Sequence, residues 1–258
     1  MGNRTSFSKT IFTGFTPFTF FTRFACVTLF ILTAFVPSCV THAQAPPAPG
    51  VTAPRFVVVL DAAHGGDDAG AKLGKQTEKE LALVFSMKLR SLLVARGMAV
   101  VTTRESDAAV DQDRRAEIAN RADAAACVNL HAALASPNNG SAVHLFVSSL
   151  PQAGDVHFVP WRTAQSAWIT RSTALAGTLN SALTQAGVTV TLGRTALPAV
   201  DSMACPAVAL EISPERPADA ENASGAGSAA FEDKVAEALA AALVAWRSEA
   251  ARFGERQP

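Results

Sequence analysis

Six short apolar runs punctuate this chain, at Phe56–Leu60, Met98–Thr103, Cys127–Leu130, Ala142–Val147, Val188–Leu192 and Pro206–Ile212. Between and after them lie stretches in which apolar residues return every three or four positions: Glu78–Arg96, Asp111–Ala122, Thr163–Ala186 and Phe231–Phe253. Short apolar runs suit strands and the longer period suits amphipathic helices. Their alternation predicts an α/β fold. Because the strands are apolar throughout rather than every second residue, both sheet faces must be covered. The expected architecture is a single three-layer domain, with a mostly parallel or mixed six-stranded sheet and helices on both faces.

The first helix is the best marked. Thr77-Glu78-Lys79-Glu80 is a capping box, in which Thr77 caps the helix and Glu80 reaches back to it, and Gly97 supplies the stop. Leu81, Phe85, Leu89, Leu92 and Leu93 then form the buried stripe. Glu78 is not needed for the cap and stays at the helix tip. In the last helix, Val235, Leu239, Leu243 and Trp246 fall on one stripe and read as packing.

Composition separates the first 45 residues from the rest. They hold Arg4, Lys9 and Arg23, no acidic residue, and nine of the 15 phenylalanines. The apolar core Phe24–Val36 is 13 residues long, shorter than the roughly 20 a spanning helix needs. With Ala43-Gln44-Ala45 after it, this reads as a cleaved export signal, residues 1–45, leaving no membrane span in the mature chain. Cutting after Ala43 is a second option, an uncleaved anchor a third, and lipidation at Cys39 a fourth. Residues 46–54 read as a flexible lead-in. Cleavage turns 22 basic against 22 acidic residues into 19 against 22 over the remaining 213. A mildly acidic chain is not built to capture nucleic acid. Of the four cysteines, Cys127 and Cys205 remain, near the starts of two strands. They form either a disulfide or two buried thiols, depending on strand order.

Polar residues that interrupt or end these apolar runs carry the candidate chemistry. In Val57-Val58-Val59-Leu60-Asp61-Ala62-Ala63-His64-Gly65-Gly66 the run stops at a histidine in a glycine loop, Val128-Asn129-Leu130-His131 stops at another, and Glu78 opens the intervening helix. Two histidines and a carboxylate are a zinc set that leaves one position for water; with more open positions the same set also holds iron. Glu211, closing Pro206–Ile212, supplies the acid/base group such a metal would use. Ligands of open α/β sheets collect beyond strand carboxyl ends, where His64, His131 and Glu211 fall. Asn129 shares a strand face with His131 and is a candidate support for it. His144 reads as a core, edge or cleft residue and His157 as surface. Arg104 and Arg115 either orient substrate carboxylates or pair with Asp107, Asp111 or Asp113.

From about Arg55 onward the chain resembles the zinc-dependent N-acetylmuramoyl-L-alanine amidases, bacterial cell-wall hydrolases. The resemblance rests on Leu60–Ala71, Glu78-Lys79-Glu80-Leu81, Thr103–Asp107, Arg115–Asn120, Asn129-Leu130-His131-Ala132 and Pro206–Glu211, in that order. It implies a catalytic domain over residues 55–258, one zinc ion held by His64, Glu78 and His131, and Glu211 as the catalytic carboxylate. The implied substrate is peptidoglycan or a muropeptide, cut between N-acetylmuramic acid and the L-alanine of the stem peptide. Two departures stand out: Ala62-Ala63 replaces the family's Pro-Gly pair, and Ile212–Pro217 replaces a glycine-aromatic-polar continuation. Glu215 lies beyond Pro214, outside the strand. Some amidases of this type carry an inserted helix that a partner displaces. The stretch from His131 to Thr163 has no room for a long one, so an activator protein is possible but unsupported. The implied location is periplasmic or cell-wall associated. Competing readings are a secreted zinc peptidase or other amide hydrolase, and a non-catalytic wall-binding module.

Overall fold

A computed structural model describes residues 56–135, 142–154, 158–214 and 226–253. The proposed leader and lead-in, Cys39, His157 and Glu215 lie outside the described residues. In chain order the elements are β1 (Val57–Ala62), β2 (Lys72–Leu73), β3 (Gln76–Thr77), α1 (Glu78–Ala95), β4 (Ala99–Thr102), α2 (Gln112–Arg121), β5 (Ala126–Ala132) and β6 (Ala142–Ser148). A 3-10 helix (Trp161–Ala167) follows, then α3 (Ile169–Gln185), β7 (Thr189–Thr195), α4 (Pro198–Asp201), β8 (Ala207–Ser213) and α5 (Ala226–Phe253).

The six-stranded sheet runs β4-β1-β5-β8-β6-β7, with β2 and β3 forming a separate small hairpin. β4, β1, β5 and β8 are parallel; β6 runs antiparallel to β8 and parallel to β7. The sheet is therefore mixed, and β8, the last strand in the chain, lies in its interior. Successive side chains of a strand alternate faces, which sorts the core in two. Leu60, Leu130, Leu145 and Leu210 meet α1, α3 and α5 on one face, against Leu89, Leu179, Leu239 and Leu243. Val59, Cys127, Ala207 and Ala209 face the other side, where α2 and α4 bring Ala116, Ala119 and Val200. Truncating a fully buried leucine such as Leu210 to alanine would cost about 2–5 kcal/mol. No helix among the described residues is long and apolar enough to cross a membrane.

The expected capping box is present, with Glu80 Oε2 accepting from the Thr77 amide at 2.8 Å and the Thr77 hydroxyl at 2.9 Å. Two expected elements differ. The helix drawn from Thr163 is a 3-10 helix broken from α3 at Trp168, where φ is −112°. Gln165 stabilises that break: its side-chain amide Nε2 donates to the Met203 and Cys205 carbonyls, and its Oε1 accepts from the Ser172 hydroxyl. The last helix starts at Ala226, ahead of its first large apolar residue. Because β5 and β8 are neighbours, Cys127 and Cys205 meet and form a disulfide, Cα to Cα 6.3 Å.

Candidate metal centre

The first strand ends in a loop that can be made only with unusual backbone angles. His64 has φ +60°, Gly65 +130° and Gly66 +61°. A left-handed histidine is strained by about 1–2 kcal/mol, so the surroundings must hold it. Arg104 and Arg115 do so. Arg104 donates to the Ala62, Ala63, Lys79 and Ser106 carbonyls, and Arg115 to the Ala62, His64 and Val110 carbonyls. The acid partner of Arg115 is Asp61, 2.5 Å away and buried, not Asp107, Asp111 or Asp113. Both arginines are spent on the loop, which corrects the expectation that they pair with those acids or face substrate.

Three of the predicted residues come together. His64, Glu78 and His131 each offer one ligand atom, all within 4.8 Å of one another. Glu78 Oε1 lies 3.1 Å from His64 Nε2 and 2.7 Å from His131 Nδ1. The two imidazoles meet edge to face, centroids 5.4 Å apart.

The outer atoms of both rings are also engaged. His64 Nδ1 lies 2.8 Å from Asp68 Oδ2. His131 Nε2 lies 2.9 Å from Asn129 Oδ1, while Asn129 Nδ2 donates to Asp61 Oδ2 at 2.7 Å. Asp61 takes further donors from the Thr103 hydroxyl and Arg115. With its amide nitrogen committed to a carboxylate, Asn129 offers its oxygen as an acceptor to His131 Nε2, which favours the tautomer protonated there. In that tautomer Nδ1 can present a lone pair to a metal; with no metal bound, an Nδ1–H donates to Glu78 Oε1 at 2.7 Å. Each nitrogen of His64 likewise faces a carboxylate oxygen. A cation set among these three inner atoms would satisfy them together, and outer partners of this kind are what orient metal-binding histidines. The donor set fits zinc.

Glu78 is 7% exposed. Burial raises its pKa, but the hydrogen bond with His131, the Ala71 amide at 3.0 Å and the nearby imidazoles outweigh that and hold it at about 2. It is thus a carboxylate at neutral pH. Gly70 makes room for it: a Cβ there would come within 2.7 Å of both Glu78 Oε2 and His64 Cδ2.

Glu211 is positioned by register. It lies directly opposite His131 across the β5–β8 pair, on the same face and about 4.8 Å away along the hydrogen-bonding direction. It is half-buried and makes no hydrogen bond or ion pair among the described residues. His144 lies directly opposite Glu211 on its other side. Asp68 and Gly70 carry no sequence signal of their own beyond belonging to the polar glycine loop.

A half-open His/Glu/His cluster beside an uncommitted carboxylate fits the class of metal-assisted hydrolases. Residues 58–245 match the N-acetylmuramoyl-L-alanine amidase family (Amidase_3), and the chain belongs to it. A germination-specific N-acetylmuramoyl-L-alanine amidase of Bacillus subtilis is 32% identical over 89 residues, 29% of this chain and 38% of that protein. An endolysin of Bacillus phage SPP1 is 41% identical over 76 residues, 29% of this chain and 28% of the endolysin. These alignments span well under half the length of either relative. Among solved structures, the amidase Ami1 of Mycobacterium abscessus shares the fold at a TM-score of 0.57 and 21% identity, covering 76% of this chain and 99% of that one.

Proposed function

We propose that this chain is a zinc-dependent peptidoglycan amidase that cuts the bond between the lactyl carbonyl of N-acetylmuramic acid and the amine of L-alanine. The observation that carries the reading is the convergence of three ligand atoms on one point beside Glu211, in a chain of this family. His64 Nε2, Glu78 Oε1 and His131 Nδ1 would hold the ion. Bound zinc supplies Lewis acidity at the scissile carbonyl and a water with a pKa near 7. Asp68 and Asn129 keep the two imidazoles in the tautomers that face inward. Glu211 takes the proton of the attacking water and returns it to the alanine nitrogen, which leaves as an amine. Arg104 and Arg115 hold the His64 loop in its strained shape so that these atoms meet.

Export to the cell wall by a cleaved leader over residues 1–45 belongs to the same reading, since the substrate lies outside the cytoplasm. Activity without a partner protein is expected as well. Among the described residues, only β6 stands between β5 and the 3-10 helix.

The test is release of stem peptide from purified peptidoglycan by residues 46–258, with and without a chelator, beside Glu211→Gln. Release that chelation stops, zinc restores and the variant lowers by about 10²–10⁴-fold supports the reading. Peptides with a free L-alanine amine identify the amidase, whereas cuts within the peptide would point to a zinc peptidase. No release by folded, zinc-loaded protein would overturn the proposal.

A further inference from the structure

Register lines up four side chains across one face of the sheet: His131 of β5, Glu211 of β8, His144 of β6 and Thr191 of β7. Directly opposed residues share a face. The metal centre uses only the β5 end of this row. The β6–β7 end has its own construction. His144 Nδ1 is hydrogen-bonded to the Thr191 hydroxyl, which fixes the turn of the imidazole and leaves Nε2 without a partner among the described residues. Two residues along β6, the Phe146 ring is stacked with that of His144, centroids 6.5 Å apart and planes inclined by 27°. Opposite Phe146 on β7 stands Gly193, where a Cβ would come 3.0 Å from the phenyl Cδ1. The glycine therefore lets the ring lie across the strand.

On this face neither strand of the shelf contributes a lysine, an arginine or a carboxylate; the bordering charges are both acidic, Glu211 opposite His144 and Asp201, whose Oδ1 accepts from the Ser148 hydroxyl. The residues that β6 and β7 place on this face are Ala142, His144, Phe146 and Ser148 on one, threonines and Gly193 on the other. Arg194 belongs to the opposite face and spends its guanidinium on the Ser148 and Leu150 carbonyls. The two halves of the substrate differ in this respect. The stem peptide carries carboxylates, which a shelf without lysine or arginine and bordered by Glu211 and Asp201 does not pair. The sugar is a neutral pyranose whose C–H face stacks on aromatic rings and whose hydroxyl and acetamido groups need small donors and acceptors.

Building on the amidase reading, we propose that His144, Thr191 and Phe146 form the subsite for the N-acetylated sugar on the acyl side of the scissile amide. His144 Nε2 and the Thr191 hydroxyl bond the sugar's polar groups, and Phe146 receives its apolar face. The stem peptide then leaves Glu211 in the other direction, over the metal ligands.

The experiment compares two substrates that share the lactyl–alanyl amide, an N-acetylmuramyl peptide and the same peptide bearing a bare lactyl group. Zinc-loaded wild type, Thr191→Val and His144→Ala are used, each checked for an unchanged far-UV spectrum and zinc stoichiometry. The wild type is expected to show the lower KM for the muramyl substrate, and this preference should shrink by about tenfold in both variants, as for one lost hydrogen bond to a ligand. A wild type that cleaves the substrates while the variants keep the full preference, or lose activity equally on both, overturns the subsite alone. A wild type that cleaves neither overturns the amidase reading and the subsite with it.

Discussion

Breaking the Cys127–Cys205 bridge should cost stability without dismantling the site. The two cysteines are 78 residues apart, and closing a loop of that length in the unfolded chain is worth about 4.5 kcal/mol by chain entropy, a ceiling above the 2–4 kcal/mol typical of disulfides. Both side chains are fully buried among Ala116, Ala119 and Met203, so reduction in place, which leaves both sulfurs, isolates the cross-link from the packing. A Cys127→Ala/Cys205→Ala protein adds a small cavity cost. For a domain of this size each kcal/mol moves Tm by about 2–4 °C, which puts the expected fall at roughly 5–15 °C. The assay is calorimetry of oxidised and reduced protein with thiol titration to prove complete reduction. At 25 °C the reduced protein should keep its peptide-release rate, because six paired positions still hold β5 against β8. A Tm change below about 2 °C, with two thiols titrated, would refute the entropy argument. Lost activity in a protein that remains folded would refute the claim that register alone aligns His131 with Glu211.

Gly70→Ala should weaken zinc binding at least tenfold, read with a fluorescent zinc competitor, because its Cβ would strike Glu78 and His64 and its φ of +62° favours glycine. Asn129→Ala removes the acceptor that fixes the His131 tautomer and should raise the zinc dissociation constant about 10–100-fold, with a smaller effect on the melting of metal-free protein. In that metal-free protein Glu78 has a folded pKa of about 2, below its ordinary 4.5. Its contribution is therefore complete above pH 4.5 and is lost as the pH falls toward 2. Urea midpoints of wild type and Glu78→Gln should converge across that interval, and a constant gap would contradict the shift.

The sheet was legible because strands buried on both faces must be apolar, and Val57–Leu60 or Ala207–Leu210 leave little else to be. Strand direction was not, since an apolar run looks alike in either sense; nothing in Ala142–Val147 says that β6 opposes β8. The break at Trp168 escaped for a similar reason. It is held by Gln165 bonding to carbonyls far along the chain, and carbonyl acceptors leave no mark on a sequence. The same blindness misplaced Arg104 and Arg115, whose partners are mostly backbone oxygens of a loop bent at His64. The convergence of His64, Glu78 and His131 was readable because chemistry at strand and helix ends stands out against an apolar background. What surrounds them, Asp68, Gly70 and the Asp61–Asn129 link, depends on distances that only the folded chain defines.

The strand order has a consequence in time. Among the described residues, β8 is the last strand in chain order and the only link between the β4-β1-β5 half of the sheet and the β6–β7 half. It also brings Glu211 and the strand next to Cys205. A chain that stops before Ala207 thus leaves the two halves of the sheet unjoined and lacks Glu211 beside the histidines. Without β8 there is no register to set Glu211 opposite His131. On the proposed reading, assembly of the site therefore waits on β8, whatever the order in which the other strands pair.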